Sequence, residues 1–356
     1  MSRMAPAPTA STEPTATRVT DLVLEGGGVK GIALAGAVLP FDEAGYTVAR
    51  VGGTSAGALV GAVVAALAAR AEPMSRLRDI ADTLDYRRFP DRGLPGRLLG
   101  PLGFLADGLS VLVESGAYEG AYLRGWLAGV LGDLGVSTFA DLRTDDPGDD
   151  GSIHARYRLA VTASDVSRKR LVYLPWQYDE YGRDPDEQKV VDAVRASTAI
   201  PFFFEPVTLA GPQGVSTLVD GGLVSNYPIS MFDRTDGRPA RWPTIGIRLD
   251  AFGSDVAPGQ AERVVGPVPL GVAVVETAIE GCQAEHVLEP CNVSRSVAVD
   301  TSSVGSLDFD ITAAQRRALQ DRGEAAATGF LRTWDYAAWL AACRPATPTN
   351  AATGRG

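Results

Sequence analysis

The sequence predicts an α/β protein in which helices pack against a mostly parallel sheet. An apolar strand at residues 21–25 leads through a glycine turn into a helix that ends near Ala44. A second strand at 48–51 leads through another glycine turn into a helix-compatible run at 58–70. This alternation is typical of parallel sheets, because each crossover helix returns the chain to the same end of the sheet.

The remaining elements complete one large domain at 21–343. Further strands are predicted at 156–163, 171–174, 216–219, 244–249 and 295–299, and helices within 118–134, at 190–197 and at 312–334. The first two of these strands are predicted to form a hairpin. Residues 72–120 lose this regularity and are interpreted as an insertion or lid. Residues 1–20 are predicted to be a disordered leader, and 344–356 a disordered tail.

Composition narrows the class of protein. The chain has 356 residues, of which 45% are hydrophobic and 21% charged, and its net charge of -10 argues against nucleic-acid partners. The longest apolar run, near residues 56–69, is too short to span a bilayer. We therefore expect no transmembrane anchor. The expected location is the cytoplasm, with attachment to a membrane surface and secretion by a non-classical route as alternatives. The segment 76–97 mixes arginines with apolar residues and fits either transient contact with a membrane surface or an ion-paired, solvated helix.

The cysteines suggest reduced thiols. Cys282, Cys291 and Cys343 are odd in number and form no C-x-x-C pair. This predicts neither a disulfide framework nor a zinc site, and it favours a cytosolic setting.

Ser55 is the candidate nucleophile. It lies in Gly53-Thr54-Ser55-Ala56-Gly57, between a strand and a helix, where a G-x-S-x-G elbow exposes a serine hydroxyl. The positive end of the following helix favours negative charge that develops there. The motif is short, so an incidental serine in a glycine turn is the alternative.

Asp220 is the candidate base for this serine. It ends the apolar stretch 217–219, precedes Gly221 and Gly222, and so stands at the carboxyl end of a strand, where parallel sheets place active sites. Burial would raise its pKa and make it a better proton acceptor. An ordinary Asp-Gly turn is one alternative. A triad with His286 is another, since the order Ser, Asp, His matches α/β-hydrolases, whereas His154 is interpreted as structural.

A third motif is the glycine loop at residues 26–31. Its free N–H groups, followed by a helix N-terminus, form an anion pocket that would serve acyl transfer as an oxyanion hole. The spacing Gly26-x-Gly28-x-x-Gly31 also matches the dinucleotide fingerprint, which leaves a nucleotide-binding oxidoreductase open. That alternative lacks the expected acidic residue after the second strand, where Val51 is followed by Gly52.

Taken together, four ordered blocks resemble the patatin-like phospholipases. They are Gly26-Gly27-Gly28-Val29-Lys30-Gly31, the Ser55 elbow, Ala196-Ser197-Thr198-Ala199-Ile200-Pro201, and Asp220-Gly221-Gly222 followed by Asn226 and Pro228.

The resemblance implies a three-layer α/β/α fold and hydrolysis of lipid or phospholipid acyl esters by a Ser55/Asp220 dyad, without a catalytic histidine. It also implies that the reaction needs no metal and no cofactor. The oxyanion donors would come from Gly27, Gly28 and Val29. An acyltransferase on the same dyad and a non-enzymatic scaffold remain alternatives. Substrate choice stays open, since residues 72–120 and those beyond about 250 lack the resemblance.

Overall fold

The computed structural model describes residues 18–89, 120–144, 153–236, 238, 240–250, 264, 266–281 and 289–343. Several predictions lie outside these residues. They are most of the leader, the larger part of the insertion, Cys282, His286 and the tail at 344–356.

Strands and helices alternate as the sequence predicts. The strands are β1 (Arg18–Leu24), β2 (Tyr46–Gly53), β3 (Leu159–Asp165), β4 (Arg170–Leu174), β5 (Val207–Gly211), β6 (Gly214–Asp220), β7 (Thr244–Asp250) and β8 (Ser296–Asp300). The α-helices are α1 (Ile32–Glu43), α2 (Ala56–Ala69), α3 (Arg76–Asp82), α4 (Ala121–Asp133), α5 (Ile153–Arg156), α6 (Val190–Ser197), α7 (Pro267–Gly281), α8 (Pro290–Val293), α9 (Ala313–Leu331) and α10 (Tyr336–Cys343).

The strands form one sheet in the order β5-β6-β3-β2-β1-β7-β8, with β4 paired to β3 off this path. Helices flank the sheet in the three-layer α/β/α arrangement that the resemblance implies. Alternate side chains face opposite layers: Val51 lies against Gly61 of α2, while the next residue, Gly52, faces Met231 and Phe232.

The sheet is mixed, and most of its pairings are parallel as predicted. Four of the pairings between the described strands are parallel and three are antiparallel. The antiparallel part arises because β3 to β4 and β5 to β6 are joined by tight turns, which reverse the chain. The predicted hairpin of β3 and β4 is therefore confirmed.

The pairing register explains how the serine elbow and Asp220 come together. Val161 of β3 pairs with Gly53 of β2 on one edge and with Leu174 of β4 on the other. Two residues later, Ala163 pairs with β4 and with Asp220 of β6. A strand has only two edges, so β2 and β6 share one edge of β3 and run toward each other. Asp220 thus lies at an end of an antiparallel strand, not of a parallel one as predicted.

The expectation of reduced thiols is wrong for two of the three cysteines. Cys291 in α8 and Cys343 at the end of α10 form a disulfide across 52 positions. Trp339 of α10 also donates to the Cys291 carbonyl at 3.0 Å. Counting cysteines could not reveal this pair, because the chain brings two distant helices together.

The arginine-rich segment forms ion pairs where it is described. Arg76 pairs with Glu72 at 3.1 Å, and Arg78 with Glu324 of α9 at 2.5 Å. Arg88 lies over the ring of Tyr122. Among the described helices, none combines the length and apolar character that crossing a bilayer requires.

Candidate active site

Ser55 lies at a sharp turn between β2 and α2. Its backbone has φ 52° and ψ -119°, a conformation that residues other than glycine rarely adopt. The turn also needs Gly57, since a Cβ there would stand 2.2 Å from the Leu24 carbonyl oxygen of β1. Such a strained backbone persists only where the surrounding structure enforces it. The sharp turn places the Ser55 side chain beyond the end of β2.

The Ser55 hydroxyl donates a hydrogen bond to Oδ2 of Asp220 at 2.6 Å. Both residues are buried, with 6% of Ser55 and 1% of Asp220 exposed. The second carboxylate oxygen, Oδ1, accepts from the Gly222 N–H at 2.8 Å. The sequence thus correctly predicts that these two side chains meet, although 165 positions separate them.

Asp220 is electrostatically suited to accept a proton. Burial raises its pKa from 3.8 to about 7, and the hydrogen bonds from Ser55 and Gly222 offset this only in part. A carboxylate in water, with a pKa near 4, is a weak base at neutral pH. Burial therefore brings the basicity of Asp220 near the range that general-base catalysis uses.

The end of α6 fixes both groups from behind. The Ser55 N–H donates to Oγ of Ser197 at 2.9 Å, and the Asp220 N–H donates to the Ala199 carbonyl at 2.8 Å. Ser197 and Ala199 belong to the third sequence block of the resemblance, which gave neither of them a role. Their position in one short segment holds Ser55 and Asp220 at a fixed separation.

Thr162 of β3 joins the two strand ends. Its Oγ1 lies 2.6 Å from Oγ1 of Thr54, the residue before Ser55. On the other side, a Cβ at Gly221 would meet the same Oγ1 at 2.3 Å. Thr162 therefore packs between the serine elbow and the turn that follows Asp220.

The glycine loop lies beside Ser55. A Cβ at Gly26 would stand 3.2 Å from Ser55 Cβ. Asn226 holds this glycine through two bonds: Gly26 N–H donates to its carbonyl at 3.0 Å, and its Nδ2 donates back to the Gly26 carbonyl at 2.9 Å. Within the described residues, the N–H groups of Gly27 and Gly28 make no hydrogen bond. They are therefore available to a ligand.

The third predicted oxyanion donor, the Val29 N–H, already makes a hydrogen bond within the protein. The Val29 N–H donates to the Ser306 carbonyl at 2.9 Å. Gly28 has φ +56°, and a Cβ at this position would lie 2.2 Å from the same carbonyl oxygen. Ser306 thus secures the loop that continues through Lys30 and Gly31 into α1. The sequence analysis missed this contact, since nothing near residue 306 marks it.

Of the two histidines, only His154 lies in the described part of the chain, and its contacts are away from Ser55. His154 is exposed, its ring lies 4.4 Å from that of Trp176, and its carbonyl accepts from Arg50. The position of His286 is outside the described residues. Among the described side chains, no cluster of His, Cys, Asp and Glu is suited to hold a metal ion.

Comparison with known proteins agrees with this architecture. The family model described as Patatin-like phospholipase matches residues 22–233, which include all four sequence blocks. The chain belongs to this family. Membership supports a lipid-hydrolysing enzyme and removes the nucleotide-binding oxidoreductase from the alternatives.

Two relatives differ in how much of their length is matched. The protein YqhO of Bacillus subtilis (strain 168) is 32% identical over 323 residues, which are 89% of this chain and 99% of YqhO. A Mycobacterium bovis protein named as a member of the NTE family, Mb2594, is 27% identical over 223 residues. That match covers 62% of this chain and 30% of the relative, so the chain spans less than a third of Mb2594.

Two solved structures from bacteria are also similar. VipD from Legionella pneumophila is 16% identical with a TM-score of 0.49, covering 88% of this chain and 66% of that chain. ExoU in its complex with SpcU from Pseudomonas aeruginosa is 18% identical with a TM-score of 0.42, covering 89% and 52%.

Proposed function

We propose that this member of the patatin-like phospholipase family hydrolyses carboxylic esters of lipids through a Ser55/Asp220 dyad. The observation that carries the proposal is the 2.6 Å hydrogen bond from the Ser55 hydroxyl to a buried carboxylate whose pKa is raised to about 7. The strained elbow and the free amides of the glycine loop support it.

In the first half-reaction, the Ser55 Oγ attacks the ester carbonyl while Asp220 takes the hydroxyl proton. The tetrahedral intermediate then collapses, the bond to the alcohol breaks, and the leaving alcohol receives that proton from Asp220. The product is an acyl-enzyme. In the second half-reaction, Asp220 deprotonates a water molecule that attacks the acyl carbon, and the proton returns to Ser55 as the fatty acid leaves.

The negative charge of each tetrahedral intermediate lies on the former carbonyl oxygen. We assign its stabilisation to the N–H groups of Gly27 and Gly28, since the Val29 N–H already donates to Ser306. N–H donors that are already in place before the reaction need not move when the negative charge develops. Losing one such donor typically reduces turnover about 100-fold or more.

Apolar side chains near the dyad suit an acyl chain. Ile279 of α7 packs near Gly222: a Cβ added to this glycine would lie 3.5 Å from Ile279 Cδ1, which is an ordinary van der Waals distance. Near the other end of α7, the ring of Phe202 packs on Gly271, and Leu270 and Val274 are exposed. Helix α7 thus carries exposed apolar side chains and also contacts the turn after Asp220, which supports a lipid over a small polar ester.

The test is one assay on four proteins: the wild type, Ser55→Ala, Asp220→Asn and His286→Ala. Each is assayed with a soluble short-chain ester and with phospholipid vesicles. The dyad predicts loss of hydrolysis in the first two variants and retention in the third. Full activity of Asp220→Asn together with loss in His286→Ala would identify a histidine base instead. Product analysis with an added alcohol acceptor separates hydrolysis from acyl transfer.

A further inference from the structure

A cavity lies beside α6, away from Ser55 and Asp220. Its volume is about 310 Å³, and its walls come from α4, β4, β5, β6, α6 and the segment before α6. Four cationic side chains and one carboxylate line it: Arg124, Arg183, Lys189, Arg195 and Asp192. In a chain with a net charge of -10, this concentration of positive charge is a local exception.

Two of these cations make neither an ion pair nor a side-chain hydrogen bond with the described part of the chain. Arg124 pairs with Asp192 at 2.8 Å, and Arg195 donates to the Glu205 carbonyl at 2.8 Å. By contrast, neither Arg183 nor Lys189 forms an ion pair with a described residue. The Arg183 Nε is also buried without a hydrogen-bond acceptor among those residues. Burying an unsatisfied donor costs about 1–3 kcal/mol, so a bound anion would be stabilised here.

The inner wall of the cavity is apolar. Leu174, Ala196 and Leu218 line it and are each 1% exposed, whereas Lys189 is exposed at its mouth. A ligand that matches both parts has a negatively charged head and an apolar tail. A small inorganic anion would leave the apolar wall uncovered, and a neutral alkyl chain would leave Arg183 without an acceptor.

We propose that this cavity binds a fatty acid of medium chain length, with its carboxylate at Arg183 and Lys189 and its alkyl chain along Leu174 and Leu218. The volume is at the lower end of small-molecule sites, which favours a medium over a long chain. The choice of a carboxylate head rests on the proposed function, because a fatty acid is the product of that reaction.

The position of the cavity connects it to the dyad. Ala196 lines the cavity, and the next residue, Ser197, accepts the Ser55 N–H. Leu218 lines it two residues before Asp220. A ligand in the cavity therefore packs against both segments that hold the catalytic pair.

The test is isothermal titration of the full chain with decanoate, decanol and acetate. Decanoate has both head and tail, decanol lacks the charge, and acetate lacks the chain. We expect saturable decanoate binding that Arg183→Gln weakens at least tenfold and that Lys189→Gln weakens less, because Lys189 is exposed. The control is Arg317→Gln, which removes the same charge from an exposed position of α9 and should leave binding unchanged. Thermal melting checks that each variant is folded.

Equal decanoate affinity in the wild type and Arg183→Gln would overturn the proposal, as would equal losses in Arg183→Gln and Arg317→Gln. Decanol binding as tightly as decanoate would indicate an apolar cavity, and acetate binding as tightly would indicate a simple anion site. Either result contradicts the fatty-acid assignment. Decanoate that binds near the dyad instead would give a titration signal that Arg183→Gln leaves unchanged. Full hydrolysis by Ser55→Ala would refute the proposed function and leave this binding result intact.

Discussion

Replacing Asp220 by Asn is expected to stabilise the protein at neutral pH while it abolishes hydrolysis. The Asp220 carboxyl is buried, and its pKa is raised to about 7, chiefly by desolvation. An asparagine can keep both side-chain contacts: Oδ1 still accepts from the Gly222 N–H, and the amide can donate to the Ser55 hydroxyl. It removes the cost of a buried charge and the proton acceptor together.

The sign of the pH dependence follows from the two states of Asp220. Between pH 3.8 and about 7 the unfolded chain has lost this proton and the folded protein still holds it, so raising the pH favours unfolding. A shift of about three pKa units corresponds to roughly 4 kcal/mol, which is an upper limit. Wild-type stability from this group is therefore fully present below pH 3.8, falls up to about pH 7 and is constant above it.

Thermal melting of wild type and Asp220→Asn from pH 4 to pH 8 measures this effect. The two Tm values should be similar at pH 4 and diverge as pH rises, with the variant higher by up to about 5 °C at pH 8. Asp310→Asn, at an exposed site, is the control for removing a charge. A Tm difference that is independent of pH, or that favours the wild type at pH 8, would refute a buried carboxyl with a raised pKa. In the wild type, kcat/KM for a soluble ester should rise with pH through about 7, as Asp220 becomes the free base.

Three further predictions concern other parts of the structure. Ser55→Gly and Ser55→Ala should both be inactive, but the glycine variant should be more stable by about 1 kcal/mol in chemical denaturation, because glycine tolerates φ 52°. Gly28→Ala, whose Cβ would meet Ser306, should reduce esterase activity at least tenfold, whereas Gly45→Ala, with φ +76° and open space, should only lower Tm slightly. Reduction of the Cys291–Cys343 disulfide should lower Tm by an amount equivalent to at most about 4 kcal/mol, and the double Cys→Ser variant should show no further effect of reductant.

Local sequence predicted much of the fold because the relevant signals are local. The glycine turn after β1, the elbow at Ser55 and the hairpin of β3 and β4 each follow from residues within a few positions of one another. The sequence also indicated which side chains should meet, since Ser55 and Asp220 each follow a buried strand. Burial of Asp220 and its raised pKa agree with the expectation from the sequence.

What the sequence could not predict depends on contacts between distant segments. The direction of β6 is fixed by its tight turn from β5, a strand that the sequence analysis missed. The Ser306 carbonyl reaches Val29 through the backbone, so no side-chain pattern marks it. The disulfide depends on α8 and α10 lying side by side, which neither the number nor the spacing of the cysteines reveals.

The head-on meeting of β2 and β6 also explains why the site is strained and desolvated. Both strands end on one edge of β3, so the chain must turn sharply at Ser55 and at Asp220 within the sheet, away from water. The turn at Ser55 leaves its backbone in a disfavoured conformation, and burial raises the pKa of Asp220 to about 7. Each effect lowers the stability of the folded state, and under the proposed function each favours reaction: the turn positions the Ser55 hydroxyl to attack a carbonyl, and burial makes Asp220 a stronger base. A scaffold without catalytic function would gain stability from Gly at 55 and Asn at 220, so the presence of Ser55 and Asp220 supports the proposed enzyme.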